Sequence, residues 1–284
     1  MSAIRFAICL SFALFCFDAF ATDVGFGSNA LPFLATNATL IVETGDASPG
    51  PFQNERLQTF RVHVAEVFAG NAAGTELLVL NPRTSGSLES VALQHAILFL
   101  AGPLDGSQKG EWEIQSDESV FQLVAGSGAA VQKTALREEA VRRYLSAGDS
   151  AGIDRGYSWA SDYVLSEDPF LQRSAIHQLY RLQDQSRVLN LLDRAVRSPR
   201  VELENRRLAV QAIASFGTPT ALAVLKSVAE DKTFREKVRV AIVEAIDDLP
   251  GGEKQLQEWT LSKDGAIASA AKATIRRAVA QQEH

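Results

Sequence analysis

Three patterns of apolar and polar positions divide this chain. Residues 6–17 form a largely apolar run of 12 residues behind Arg5. Residues 39–124 place apolar side chains at close to every second position, with Gly, Pro, Asn and Asp between the runs. From residue 134 onward the period lengthens to that of a helix. Alternation marks a half-buried strand, whereas apolar residues three and four apart mark one face of a helix.

In the alternating part, Leu40-Ile41-Val42 reads as a buried strand. Phe60, Val62 and Val64 alternate with Arg61 and His63, and Val67 breaks the alternation, which predicts a bulge near Ala65-Glu66. The run Gly70-Asn71-Ala72-Ala73-Gly74 predicts a turn. Strands are expected over 76–80, 96–100, 112–115 and 120–124. Five or six short strands in about 90 residues suggest a small closed barrel or sandwich. The small residues Ala125-Gly126-Ser127-Gly128-Ala129-Ala130 then read as a linker.

The helical part repeats. Arg173, Arg206, Arg239 and Lys272 follow one another at a step of 33 residues, as do Leu179, Ala212, Ala245 and Ala278. A period of this length built from helix pairs marks an α-solenoid. First helices are expected over about 170–183, 203–215, 235–248 and 266–281, and second helices over about 185–198, 218–231 and 253–264. Thr134 can cap a leading helix, with a second short helix over 157–165. That pair is out of phase with the repeat and reads as a cap on the array.

The domain reading is therefore a signal peptide at 1–21, a β domain at 22–124, a linker at 125–133, a capping helix pair at 134–166 and a repeat domain at 167–284. The apolar run is too short to span a bilayer, and Ala19-Phe20-Ala21 fits a signal-peptidase pattern, so the mature chain is expected to start at Thr22. This places the protein in the periplasm or outside the cell, with no transmembrane segment after cleavage. Both cysteines, Cys9 and Cys16, fall within the signal, so cysteine catalysis and thiolate metal sites are excluded for the mature form.

Charge changes the picture in one respect. The net charge is −6, which gives no support to nucleic-acid binding. The acidity is local: residues 22–130 carry 4 basic and 12 acidic side chains, and residues 167–284 carry 18 and 16.

Two stretches resemble known families. The run 60–70, ending Glu66-Val67-Phe68-Ala69-Gly70, followed by Gly74, residues 77–79 and Ala96-Ile97-Leu98-Phe99-Leu100, resembles bacterial secreted domains of the netrin-like or tissue-inhibitor-of-metalloproteinase-like type. That resemblance implies an OB-fold barrel. Ala69 stands where those domains usually carry Lys, and the mature N-terminus lacks the cysteine through which the animal inhibitors engage a metal. The segments Arg206-Arg207-Leu208-Ala209-Val210-Gln211-Ala212-Ile213 and Val238-Arg239-Val240-Ala241-Ile242-Val243-Glu244-Ala245-Ile246 resemble the "VRxxAxxAL" core of bacterial HEAT-like repeats. The fold class expected is thus a small OB-like antiparallel β-barrel followed by a HEAT-like α-solenoid.

No catalytic constellation is present. There is no Gly-x-Ser-x-Gly elbow, Walker motif or dinucleotide fingerprint. His63, His95, His177 and His284 lack metal-ligand spacing with one another or with carboxylates, so no metal and no cofactor is expected. The basic series Arg173, Arg206, Arg239 and Lys272 reads as a structural ladder, braced by the turn carboxylates Asp231 and Asp264. On the helix at 185–198, Arg187, Asn190, Arg194 and Arg197 lie opposite the apolar stripe of Val188, Leu189, Leu192, Ala195 and Val196, and form the candidate binding face. Resemblance to HEAT-like arrays implies that such second helices line the concave side. The functional expectation is an exported, non-enzymatic scaffold that binds a protein partner. The alternatives are an enzyme accessory or a lyase-type enzyme of the HEAT-like kind, and a peptidase inhibitor acting through the β domain.

Overall fold

Strands with buried stretches, continuous at residues 77–82 and 96–100, build the first unit. The computed structural model describes residues 30–282 apart from 73, 84–87, 148–152 and 183–184, and the expected signal peptide lies outside the described residues. The chain divides into two compact units between residues 151 and 152. The first contains α1 (Leu31–Asn37), β1 (Leu40–Gln53), β2 (Leu57–Ala69), β3 (Glu76–Pro82), a 3-10 turn (Ser90–Leu93), β4 (Ala96–Ala101), α2 (Gly106–Glu111), β5 (Val120–Ser127), β6 (Ala130–Gln132) and α3 (Ala135–Ala147).

The strands run in the order β1-β2-β3-β5-β4, and β4 returns to β1, which closes a five-stranded barrel. All barrel pairings are antiparallel except β3 with β5. Strand β6 pairs with residues 96–98 of β4, while β5 pairs with residues 100–101 of the same strand. The bulge expected near Ala65-Glu66 is present: Glu43 faces Glu66 and Thr44 faces Val64, which leaves Ala65 without an opposite residue. The turn after β2 depends on Gly70, whose φ is +84° and whose added Cβ would lie 2.3 Å from the Thr39 carbonyl oxygen. Phe60 and Val62 share one face of the barrel wall with Leu77 and Val79, and Leu78, Leu80 and Val120 lie on the other; all are buried.

Two expectations for this unit are corrected. Residues 112–115 are not a strand. Asp105 accepts from Gln108 N while the Gln108 side chain accepts from Asp105 N, and this reciprocal cap starts α2, with Trp112 at its end. Leu104, Ile114, Phe52 and Trp112 then pack on the core. Residues 125–133 are not a linker either. They are the end of β5, a tight turn in which Gly128 N and Ala129 N donate to Ala125 O and Gly126 O, and β6. Small residues are required there because Ala129 is fully buried and its carbonyl accepts from Phe99 N.

The second unit is helical: α4 (Ile153–Tyr163), α5 (Pro169–Arg181), α6 (Gln185–Arg197), α7 (Leu203–Ala214), α8 (Pro219–Glu230), α9 (Glu236–Ala245), α10 (Gly252–Trp259) and α11 (Gly265–Gln282). The first helices α5, α7, α9 and α11 pack in series, each on the next, and α6, α8 and α10 pack beside them. This is the expected solenoid. The helix pair expected over 134–166 is not one cap, because α3 belongs to the β unit and α4 packs on α5. Charge explains the assignment of α3: Lys133, just before it, bonds Glu43 at 2.7 Å, and Arg142 on it bonds Glu66. Among the described residues no helix is long and apolar enough to cross a membrane.

Helix starts follow local chemistry. Asp168 caps α5 through Phe170 N and Leu171 N, and Thr218 caps α8 through Ala221 N, each ahead of a proline. Helix α9 stops at Ala245, earlier than expected, because Leu249-Pro250 and Gly251 (φ +85°) turn the chain. Gly252 then starts α10 so close to the end of α9 that an added Cβ would lie 1.7 Å from the Ile246 carbonyl oxygen.

Candidate functional site

Helix α6 buries Val188, Leu191, Leu192, Ala195 and Val196, and so turns Arg187, Asn190 and Arg194 outward. Leu191 belongs to the buried stripe although the sequence reading omitted it, and Leu189 is only half-buried. The four candidate side chains do not share one role. Arg187 bonds Asp154 of α4 at 2.7 Å and stacks over Tyr157, 4.1 Å from the ring centroid. Arg197 pairs with Asp193 at 2.8 Å, donates to Ser227 Oγ of α8 at 2.7 Å and lies 5.8 Å from the Phe234 ring. Asn190 and Arg194 are exposed, and their side chains make no hydrogen bond or ion pair among the described residues.

The cross-links continue past α6. Trp259 Nε1 of α10 donates to Glu230 of α8 at 3.1 Å, and Lys226 of α8 reaches Glu258 of α10 at 3.8 Å. Helices α4, α6, α8 and α10 are therefore tied in sequence by polar side chains along one row. At the α8–α10 end lies an open depression of about 340 Å³, with Trp259, Gln255, Ile267, Glu230, Glu258 and Lys263 among its lining. Trp259 was not singled out from sequence. The one signal in the sequence was a tryptophan at the end of the mostly polar helix Gly252–Trp259, which the structure buries.

The arginine ladder is graded rather than uniform. Arg239 is 6% exposed; its Nε donates to Ala229 O and its Nη2 to Asp264 Oδ2, both at 2.7 Å. The other Asp264 oxygen accepts from Ala266 N and Ile267 N, so one carboxylate caps α11 and braces α9. The Arg239 guanidinium and these amides hold the Asp264 carboxyl below its ordinary range. Lys272 is outside the ladder: it is exposed and sits seven residues past the start of α11, whereas Arg206 and Arg239 sit three past theirs. The step between starts is 33 from α7 to α9 but 29 from α9 to α11, so the constant step in sequence does not survive as a constant step in space.

The turn carboxylates do not brace the basic residues eight positions on: Asp264 bonds Arg239 rather than Lys272, and Asp231 makes no ion pair with Arg239 among the described residues. Asp231 Oδ1 accepts from Thr233 N and Oγ1, which lowers its pKa, with Arg197 and Arg239 adding to the effect. Arg206 is 4% exposed and its Nε is buried without a partner. Arg173 Nε is likewise buried without a partner. The α5–α7 junction is stitched instead by amides: Asn205 Nδ2 donates to Gln172 Oε1 at 2.9 Å, and Gln172 also accepts from Glu202 N and donates to Ser166 O and Arg200 O.

In the β unit, carboxylate oxygens of Glu43, Glu66 and Glu138 lie within 4.8 Å of one another, a spacing that suits a cation. Lys133 Nζ already takes that position, 2.7 Å from Glu43 and 3.1 Å from Glu138, and Arg142 bridges Glu66 and Glu138. Their hydrogen bonds raise the Lys133 and Arg142 pKa values and lower that of Glu138, so the charges are matched internally. No protein-family model, curated protein or solved structure matches this chain.

Proposed function

We propose that this chain is an exported, non-enzymatic scaffold that binds a protein partner along the row of α6, α8 and α10. The observation that carries this reading is the pairing pattern of the row. Arg187, Arg197, Lys226 and Trp259 are spent on neighbouring helices, and Arg194 and Asn190 project outward with no intramolecular partner among the described residues. Helices pinned to one another hold such side chains at fixed spacing, which lowers the ordering cost of association. Resemblance of the array to HEAT-like repeats, whose second helices line the binding side, supports the choice of face. The partner presents acidic side chains to the Arg194 guanidinium, which pairs with carboxylates in a planar, two-point geometry.

Export rests on the apolar run at 6–17 and on Ala19-Phe20-Ala21, and places the mature protein, starting at Thr22, in the periplasm or outside the cell. Resemblance of the barrel to netrin-like secreted domains agrees with that compartment. The test is capture of partners from the native envelope by the full mature protein and by an Arg194→Glu, Asn190→Asp variant. A partner held by the first and lost by the second, at unchanged melting temperature, is the expected result. Equal capture by both proteins rejects the face, and hydrolysis or peptidase inhibition in an activity panel rejects the non-enzymatic reading.

A further inference from the structure

The depression at the α8–α10 end is lined by three carboxylates, and each already has a protein partner. Glu230 accepts from Trp259 Nε1 at 3.1 Å. Lys226 lies 3.7 Å from Glu230 and 3.8 Å from Glu258. Asp264 is held by Arg239 Nη2 and by the first amides of α11.

Other polar groups of the lining are left over. Gln255 is 7% exposed, yet its carboxamide makes no hydrogen bond among the described residues. Neither its oxygen nor its nitrogen is sealed from solvent, so both open onto the depression. A side-chain amide this deep normally has a partner. Arg239 is also buried in the lining; its Nε and Nη2 are engaged, and its Nη1 has no hydrogen-bond partner among the described residues. Lys232 and Lys263 are exposed in the same lining and form no ion pair among the described residues. The uncommitted groups are thus an amide that offers both a donor and an acceptor, one guanidinium nitrogen and two ammonium groups. Ala229, Trp259 and Ile267 supply the apolar part.

We propose that this depression binds the C-terminal end of a peptide chain. The terminal carboxylate lies against Arg239 Nη1, with Lys232 and Lys263 as further counter-charge. The Gln255 nitrogen donates to the carbonyl of the last peptide unit, and its oxygen accepts from the N–H of that unit. The last side chain rests on Ala229, Trp259 and Ile267. A carboxylate alone would leave Gln255 without a partner, and an amide alone would leave both lysines without one. The volume of about 340 Å³ is at the small end for ligand pockets, which suits a chain end rather than a folded surface. This site is separate from Arg194 and requires no contact there.

The experiment uses the full mature chain, isotope-labelled for detection of N–H signals. The protein has three tryptophans, and Trp259→Phe identifies the indole signal of Trp259 by its loss. The probes are acetyl-Ala-Ala with a free carboxylate, the same peptide as its C-terminal amide, and acetate, at matched pH and ionic strength. The free acid is expected to shift the Trp259 indole and Gln255 side-chain signals to saturation, and to leave the Trp112 and Trp159 indoles in place. The amidated peptide and acetate are each expected to bind about tenfold more weakly or worse. Gln255→Leu is expected to weaken the free acid by about tenfold. The double variant Lys232→Gln, Lys263→Gln changes exposed residues and leaves Gln255 in place. It is expected to weaken the free acid by about threefold or more at low salt and to flatten the salt dependence. If Gln255→Leu does not fold, the acetate comparison tests the role of the amide by itself. No saturable shift with the free acid, equal binding of the amidated peptide or of acetate, or unchanged affinity in the double lysine variant overturns the proposal.

Discussion

The barrel and the helical array hold themselves together in opposite ways. In the barrel, β1 joins residues 40–43 to residues 97–100, and the ring is complete only when β5 meets β3. In the array, each first helix packs chiefly on its neighbours in the series, and the polar stitches span one repeat: Gln172 to Asn205, Arg197 to Ser227, Glu230 to Trp259. Closed architecture shares its stability among all its strands, whereas a serial one keeps a local ledger at every junction. Binding features therefore vary from repeat to repeat in the array without loss of the fold, and the α5–α7, α7–α9 and α9–α11 junctions each use different chemistry.

The largest expected effect tests the closed half. Phe99 is fully buried at the centre of β4, which pairs with β1 and lies beside β5 and β6. Phe99→Ala is expected to cost about 3–5 kcal/mol and to reduce amide-exchange protection in all five barrel strands together. Loss confined to β4 would break the comparison. Leu225 is the counterpart in the array, fully buried in α8. Leu225→Ala is expected to cost about 2–4 kcal/mol, with protection falling in α7, α8 and α9 and holding in α4. Uniform loss through to α4 would show that the array unfolds as one block.

Smaller effects sharpen the contrast between junctions. Arg239→Ala removes the bonds to Ala229 O and Asp264, and about 1–3 kcal/mol of stability is expected to go with them. An unchanged melting temperature would remove the ladder from the account of the α9–α11 junction. The smallest effect is on pH dependence. Burial first, and Arg181 second, push the His177 imidazole down to about 4. The unfolded chain, with an ordinary imidazole near 6.5, takes up the proton first as pH falls. Stability from this residue is thus full above about 6.5, declines toward about 4 and is flat below. His177→Gln is expected to flatten the fall in melting temperature between pH 7 and pH 5. An identical slope in the variant would place the titrating group elsewhere.

Much of the architecture was legible because it follows from periodicity. The alternation of Phe60, Val62 and Val64 and its break before Val67 located both β2 and its bulge, and the apolar rows of α5 to α9 located the array. What escaped detection depended on contacts far along the chain. Residues 125–130 look like a linker because they are small, yet they are small because β4 and β6 meet there. Trp112 and Ile114 alternate like a strand, but the Asp105–Gln108 cap decides the local conformation. The candidate face at Arg187, Asn190, Arg194 and Arg197 was visible as a polar stripe, and its division into engaged and outward side chains was not. That division is decided by Asp154 and Ser227, 33 residues before and 30 after their arginines. Arg206 was visible as a ladder member, but not that its Nε would be buried without a partner.

The parallel pairing of β3 with β5 also sets the order in which a growing chain acquires structure. An antiparallel neighbour is available to β2 and β3 as soon as each emerges, but the far edge of β3 waits for residues 120–122, some forty positions later. Until then that edge is unpaired, as a template for any other extended chain would be. The array has no such wait, since α5 and α6 find each other across a few residues and each later pair adds to a formed surface. During synthesis the N-terminal unit is the slow one and the exposed one, and a chaperone that protects this protein is expected to be needed for the first 130 residues rather than the last. Crosslinking of nascent chains halted before and after residue 132 would measure that interval directly.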